Sequence, residues 1–216
     1  MCECLSGQRE EREFEELLAF SNLEPFRHQT FENFDAKVPG VNAAYHAARK
    51  FAQDPDGWLV LHGKYGCGKT HLAAAIANEC LQRRFRTLFV VVPELLDHLR
   101  STFAPTSDIS YDELFDRVRN VPLLVLDDLG TESSTPWAQE KLYQIFNHRY
   151  NLPLPTVVTI NNRQLDLVDE RIKSRMTDRA LSKVIEIAAG SYREKERGER
   201  RFRNGGNPAR GRRIER

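Results

Sequence analysis

The chain has 216 residues, of which 40% are hydrophobic and 29% charged, and its formal net charge is +1. That suffices for one domain with a full core and some appendages, in the proportions of a soluble protein. No apolar run approaches the ~20 residues of a membrane helix. The start Met1-Cys2-Glu3-Cys4 lacks the basic-then-apolar layout of a signal peptide, and four cysteines do not make a disulfide scaffold, so a reducing, cytoplasmic setting is expected.

Charge is spread unevenly. Residues 191–216 hold ten Lys/Arg against four Asp/Glu, a net of +6, which leaves −5 for the first 190 residues. A basic tail on an acidic body points to an anionic partner, although a solvated tail gives the same count.

Residues 1–29 form a lead-in. Phe14, Leu17 and Leu18 at helical spacing predict a charged surface helix over 8–20. The stretch Thr30-Phe31-Glu32-Asn33-Phe34 is rich in aromatics without a clear period. An alanine-rich helix is expected over 41–52, with Tyr45, Ala48 and Phe51 on one side, closed by the turn Asp54-Pro55-Asp56-Gly57. Strands are then expected at 58–62, 87–92, 122–126, 155–160 and 183–188. Helices are expected between them at 69–83, 93–103, 111–120, 135–150 and 169–179, with a break over 104–110. This alternation predicts a parallel α/β sheet with right-handed crossovers. The unbroken apolar run at 87–92 suits a sheet covered on both faces. From 190 onward Gly, Arg, Glu and Asn replace apolar residues, the composition of a disordered tail.

Between the first core strand and its helix lies Gly63-Lys64-Tyr65-Gly66-Cys67-Gly68-Lys69-Thr70, a G-x-x-x-x-G-K-T loop. Glycines let successive backbone N–H groups turn toward one anion, and the following helix adds its positive end. Lys69 can reach the β- and γ-phosphates, and the Thr70 hydroxyl can ligate Mg²⁺. Four fixed positions recur by accident in on the order of one chain in a hundred of this length. The strand-loop-helix context lowers that further. His71, the next residue, is grouped with the nucleotide contacts.

The second signal is Leu123-Leu124-Val125-Leu126-Asp127-Asp128, a strand ending in two acids. Asp127 is expected to hold the metal, largely through its water shell, and Asp128 to orient or deprotonate the attacking water. Alone such a run is weak; 57 residues after Thr70, it leaves room for one strand and two crossover helices. Asn161 ends the fourth strand, where it can touch the γ-phosphate or serve only a turn. Arg171 and Arg175 lie four apart on one helix face, and Arg175 can act on a neighbour's γ-phosphate or simply face solvent. A small-molecule kinase would use the same loop. The paired acids and the lack of an evident acceptor-binding lid count against it.

These pieces, in this order, resemble the AAA+ ATPases, and more narrowly the DnaC/DnaI-type helicase loaders and the related IstB-type transposition ATPases. The resemblance rests on residues 30–34, 63–70, LLVLDDLG at 123–130, PTVVTINN at 155–162, RIKSRMTDR at 171–179, and Ser191-Tyr192-Arg193. It implies a three-layer P-loop sandwich with a five-stranded parallel sheet in the order 5-1-4-3-2, without a full helical lid domain. It implies an ATPase domain over 30–193, preceded by the lead-in and followed by a basic tail at 194–216. It makes Asn161 the sensor-one residue, Arg175 the arginine finger and Arg193 a sensor-two-like contact. It implies ATP and Mg²⁺ as cofactors. The implied partners are the replicative DNA helicase, single-stranded DNA and further copies of this chain, with a transposase as the alternative client. An adaptor that binds ATP without turnover also remains open.

The chain departs from the family pattern in two places. Asp128 stands where many AAA+ proteins carry Glu, one methylene longer, so slow and switch-like hydrolysis is expected. Many relatives carry an upstream C-x-x-C and C-x-C that bind zinc, whereas here only Cys2 and Cys4 remain. Zinc normally takes four ligands, so no zinc is expected and a shortened or truncated start is. For DNA, the candidates are Arg83, Arg84, Arg86, Arg100 and the tail, each of which can equally be a solvated arginine.

Overall fold

The computed structural model describes residues 14, 15, 18, 20–103, 110–131 and 135–192. Most of the helix expected over 8–20, all but Ser110 of the break expected over 104–110, Cys2, Cys4, Arg193 and the tail at 194–216 lie outside the described residues.

After a single 3₁₀ turn, Glu24–Phe26, the helices are α1 (Asn42–Gln53), α2 (Lys69–Gln82), α3 (Val92–Ser101), α4 (Tyr111–Asn120), α5 (Pro136–Asn151) and α6 (Glu170–Met176). The strands are β1 (Trp58–Gly63), β2 (Thr87–Val91), β3 (Leu123–Leu129), β4 (Thr156–Asn161) and β5 (Ser182–Ile187). All pair in parallel, in the order β2-β3-β4-β1-β5, which is the expected order read from the opposite edge.

Side chains alternate across the pleat, so each strand feeds both faces. Trp58, Val60, Leu88, Val90, Leu124, Leu126, Val158 and Ile160 pack with α3, α4, α5 and α6. Leu59, Leu61, Phe89, Leu123, Val125, Val157 and Ile187 pack with α1 and the alanine face of α2. Two covered faces explain the nearly unbroken apolar runs in β1 to β4. β5, at the edge, exposes Lys183, Val184 and Glu186, and charge at an edge opposes stray strand pairing.

Polar side chains start three of the helices. Ser110 accepts from Glu113 N–H, Thr135 from Ala138 N–H and Asp169 from Arg171 N–H. α6 stops at Met176, short of the expected 179. Asp178 instead accepts from Tyr150 Oη and from Ala180 N–H, folding the chain into a turn before β5.

Arg149 falls in register with Leu142, Ile145 and Phe146 and is fully buried with them. Its guanidinium donates to Thr156 Oγ1, to the carbonyls of Arg119 and Val121, and to Pro155 O at 2.6 Å. Burial lowers its pKa to about 9, so it stays charged at neutral pH. The side chain pins α5 to the incoming ends of β3 and β4.

The lead-in positions the site. Asn22 N–H donates to Phe89 O and Asn22 Oδ1 accepts from Val91 N–H, both at 2.9 Å, which covers the β2 edge. The chain then runs along α2. There Asn78 Nδ2 donates to the carbonyls of Phe26 and Gln29, and His71 Nε2 donates to Thr30 O at 2.8 Å.

Candidate nucleotide site

β1 delivers the chain at Gly63 and α2 picks it up at Lys69, so five residues make the loop. Gly66 and Gly68 have φ of 74° and 104°, in the left-handed region that side chains disfavour. Space forbids a side chain too. A Cβ on Gly66 would lie 2.5 Å from Ser191 Oγ, and one on Gly68 2.9 Å from the Phe34 ring. Lys69 is buried, and its Nζ donates to the carbonyls of Gly63 and Lys64 at 3.1 and 2.9 Å. The ammonium is thus folded over the loop that the motif assigns to phosphate. Tyr65 stands exposed, with its ring centroid 6.0 Å from Lys69 Nζ. Cys67 is buried, and burial raises its thiol pKa.

The acids are presented by a bulge. β3 and β4 pair Leu126 with Val158 and Leu129 with Ile160, so Asp127 and Asp128 together face Thr159. Two residues opposite one bend the strand and re-aim its side chains. Asp128 takes φ of 60°, a conformation aspartate tolerates better than most residues. The fully buried Thr159 hydroxyl joins the pair: it accepts from Asp128 N–H at 2.9 Å and donates to Asp127 Oδ1 at 2.6 Å. The bulge also explains why β3 runs to Leu129 rather than ending at 126.

Asp127 is almost fully buried and its carboxyl is pushed up to about 6. Burial is the main cause and nearby Asp128 adds to it, while hydrogen bonds from Thr159 and Thr70 and the charge of Lys69 pull the other way. Asn161 is paired with Gly63 across β4 and β1. It is 2% exposed; its Oδ1 accepts from Arg163 N–H, but Nδ2 has no partner. A buried donor left unpaired beside a phosphate-type loop is what a missing anion would leave.

These groups fit a Mg-nucleotide. Glycines form an anion cradle, Asn161 holds a spare donor, and Asp127 beside the Thr70 hydroxyl offers hard oxygen ligands short of positive charge. Among the described residues no cluster of three or more His, Cys, Asp or Glu could hold a metal by itself.

A cleft of about 710 Å³ is lined by residues 65–71 and Asp128, by Phe26, Gln29, Phe34, Val38 and Val41 of the segment before the first core strand, and by residues 189–192; Asp127 and Asn161 are not among its lining residues. The phosphate-loop and acidic motifs marked one part of this lining, and Ser191-Tyr192 another. The other wall comes from the lead-in, where the aperiodic aromatics at 30–34 were the sole trace. His71 lines the cleft, yet its imidazole is committed to Thr30 O and sits edge-on to Phe34 at 5.1 Å. Burial lowers its pKa and favours the neutral ring.

Arg175 is not among the residues lining this cleft. On α6 it donates to Arg171 O at 2.7 Å and Asn147 Oδ1 at 2.6 Å, with its guanidinium 5.0 Å from the Tyr143 ring centroid. Arg171 stacks on the same ring at 3.9 Å and pairs with Asp169. Two of the arginines considered for DNA have partners within the chain. Arg83 donates to the last carbonyls of α1, at Ala52 and Gln53, while Arg100 lies over Trp137 and near Asp97.

The family model described as "IstB-like ATP binding protein" matches residues 3–200. The chain is 31% identical over 163 residues to the replicative helicase loader DnaC of Escherichia coli (strain K12), covering 72% of this chain and 66% of that relative. It is 32% identical over 138 residues to the replicative helicase loader DnaI of Bacillus subtilis (strain 168), covering 61% and 43%. The chain thus spans just under two thirds of DnaC and less of DnaI. A crystal structure of the DnaC helicase loader shares the fold, with a TM-score of 0.67 over 76% of this chain and 99% of that one at 24% identity. With its phosphate loop, bulged acids and strand order in place, the chain belongs to the IstB-like ATP-binding family, among the AAA+ ATPases that include the DnaC/DnaI helicase loaders.

Proposed function

We propose that the chain is a slow, switch-like ATPase that loads a replicative DNA helicase onto single-stranded DNA, in a cytoplasmic setting. The observation that carries the chemistry is that Lys69, Thr70 and Asp128 line one cleft, with Asp127 hydrogen-bonded to Thr70 and Asn161 paired with Gly63 just behind them. The likeness to DnaC and DnaI supports the client.

Bound Mg·ATP supplies the phosphoryl group that passes to water. The residues of the chain do the rest. Loop N–H groups from 64–70 bind phosphate oxygens, and Lys69 Nζ exchanges the Gly63 and Lys64 carbonyls for them. Thr70 and Asp127 hold the metal, whose charge favours the carboxylate form of Asp127. Asp128 takes the proton from the attacking water, and the shorter reach of Asp relative to Glu favours slow turnover. Asn161 Nδ2 gains the partner it lacks. His71 shapes the cleft through Thr30 and Phe34. Arg175 serves the site of a neighbouring copy, and Arg193 completes the nucleotide contacts from beyond β5.

Co-purification with the replicative helicase of the same organism, with and without ATP, tests the client. Capture of the helicase and loss of loading with Lys69→Ala are expected. The second reading, a transposase partner, is favoured by the family model that matches 198 of the residues, 3–200. Capture of a transposase and no helicase would replace the first reading with it.

A further inference from the structure

The cleft also holds, on its lead-in side, a polar atom that the fold leaves unused. Gln29 has its backbone engaged on both sides. Its N–H donates to Phe26 O at 2.8 Å and its carbonyl accepts from Asn78 Nδ2 at 3.0 Å. Its side chain lines the cleft, and Oε1 is buried without a hydrogen-bond partner.

The side chain is presented from a fixed base. His71 holds Thr30 and Asn78 holds Gln29, so this segment is tied to α2 at two points. Asn78 lies two turns beyond Thr70, about 12 Å along the helix at 1.5 Å per residue. Gln29 is thus held between an anchor one residue past Thr70, reached through Thr30 and His71, and one about two turns along the helix at Asn78. The apolar lining of the cleft comes from Phe26, Val38, Val41 and Phe34, the last lying against Gly68 and His71.

A buried acceptor without a donor is costly, and a ligand that brings the donor removes the cost. An apolar slot with one unpaired acceptor complements a flat heterocycle that carries an amino group. Adenine carries one, at N6. Guanine and hypoxanthine present a carbonyl oxygen at that position, which would meet Oε1 acceptor to acceptor. We propose that Gln29 Oε1 accepts the N6 amino group of adenine and selects adenine over 6-oxopurine nucleotides. This rests on the reading of the cleft as an ATP site.

The test is equilibrium binding by calorimetry, with Mg²⁺, of ATP, purine riboside 5′-triphosphate (which lacks the N6 amine) and inosine triphosphate. For the wild-type chain, ATP binds tighter than purine riboside triphosphate on the order of three- to tenfold, the worth of one hydrogen bond in a buried site. Inosine triphosphate loses at least as much. In Gln29→Leu, ATP and purine riboside triphosphate bind within about twofold of each other. Equal binding of these two by the wild-type chain overturns the proposal, and needs no variant to fold. So does a wild-type ratio preserved in Gln29→Leu. A wild-type chain that binds none of the three overturns the ATP reading itself, a result distinct from equal binding.

Discussion

Replacing Thr159 by Val isolates the device that presents the two acids. Valine keeps the shape and the β-branch, so the packing between β3 and β1 is retained. The hydroxyl is lost, and with it the 2.9 Å bond from Asp128 N–H and the 2.6 Å bond to Asp127 Oδ1. Each buried polar group left without its partner costs about 1–3 kcal/mol. Asp127, already pushed up to about 6, can take a proton, which keeps the sum toward the lower half of the range. Thr159→Val is therefore expected to lower unfolding stability by about 2–4 kcal/mol in urea titrations with the denaturant slope unchanged. Thr159→Ser keeps both bonds and loses one methyl group, so it should cost only about 1 kcal/mol. ATP turnover should fall with Val and persist with Ser. A Val variant as stable as wild type, or a Ser variant as damaged as Val, would refute the assignment of the bulge to this hydroxyl.

Three further outcomes are expected. Arg149→Leu strips donors from Thr156 Oγ1 and three carbonyls, and should destabilise the fold by about 3–4 kcal/mol, read as a lower urea midpoint. Asp128→Asn should leave ATP affinity within about threefold of wild type while phosphate release falls at least about a hundredfold, seen by comparing binding isotherms with phosphate-release assays. Arg175→Ala should retain nucleotide binding and lose turnover, and mixing it with Lys69→Ala protein should restore part of the activity. No rescue at any ratio would argue against a site shared between copies.

How much could be read beforehand depended on whether a feature is local. The loop at 63–70 is contiguous, so its glycines and the basic residue that follows declare themselves. The two-faced burial of β1 to β4 follows from their unbroken apolar runs. Strand order is different, because neighbours such as β1 and β4 lie nearly a hundred residues apart; it came from the family resemblance. The acids were foreseen, but not the bulge. A period of two cannot reveal that Asp127 and Asp128 share one partner until Thr159 is placed opposite them. Arg149 sat in the apolar register, yet nothing local showed that carbonyls from the loops before β3 and β4 would satisfy it. The distal wall of the cleft was least visible. The segment that forms it is fixed through the backbone carbonyls of Phe26, Gln29 and Thr30, held by Asn78 and His71, and backbone acceptors leave no signature in side-chain identity.

The central claim is that this cleft binds Mg·ATP through the loop at 63–70. Direct titration of a fluorescent ATP analogue, with and without Mg²⁺, into wild-type and Lys69→Ala chains tests it. Saturable binding with one site per chain is expected for wild type, weakened at least about a hundredfold by Lys69→Ala in a variant that still folds. Equal binding by the two chains would contradict it.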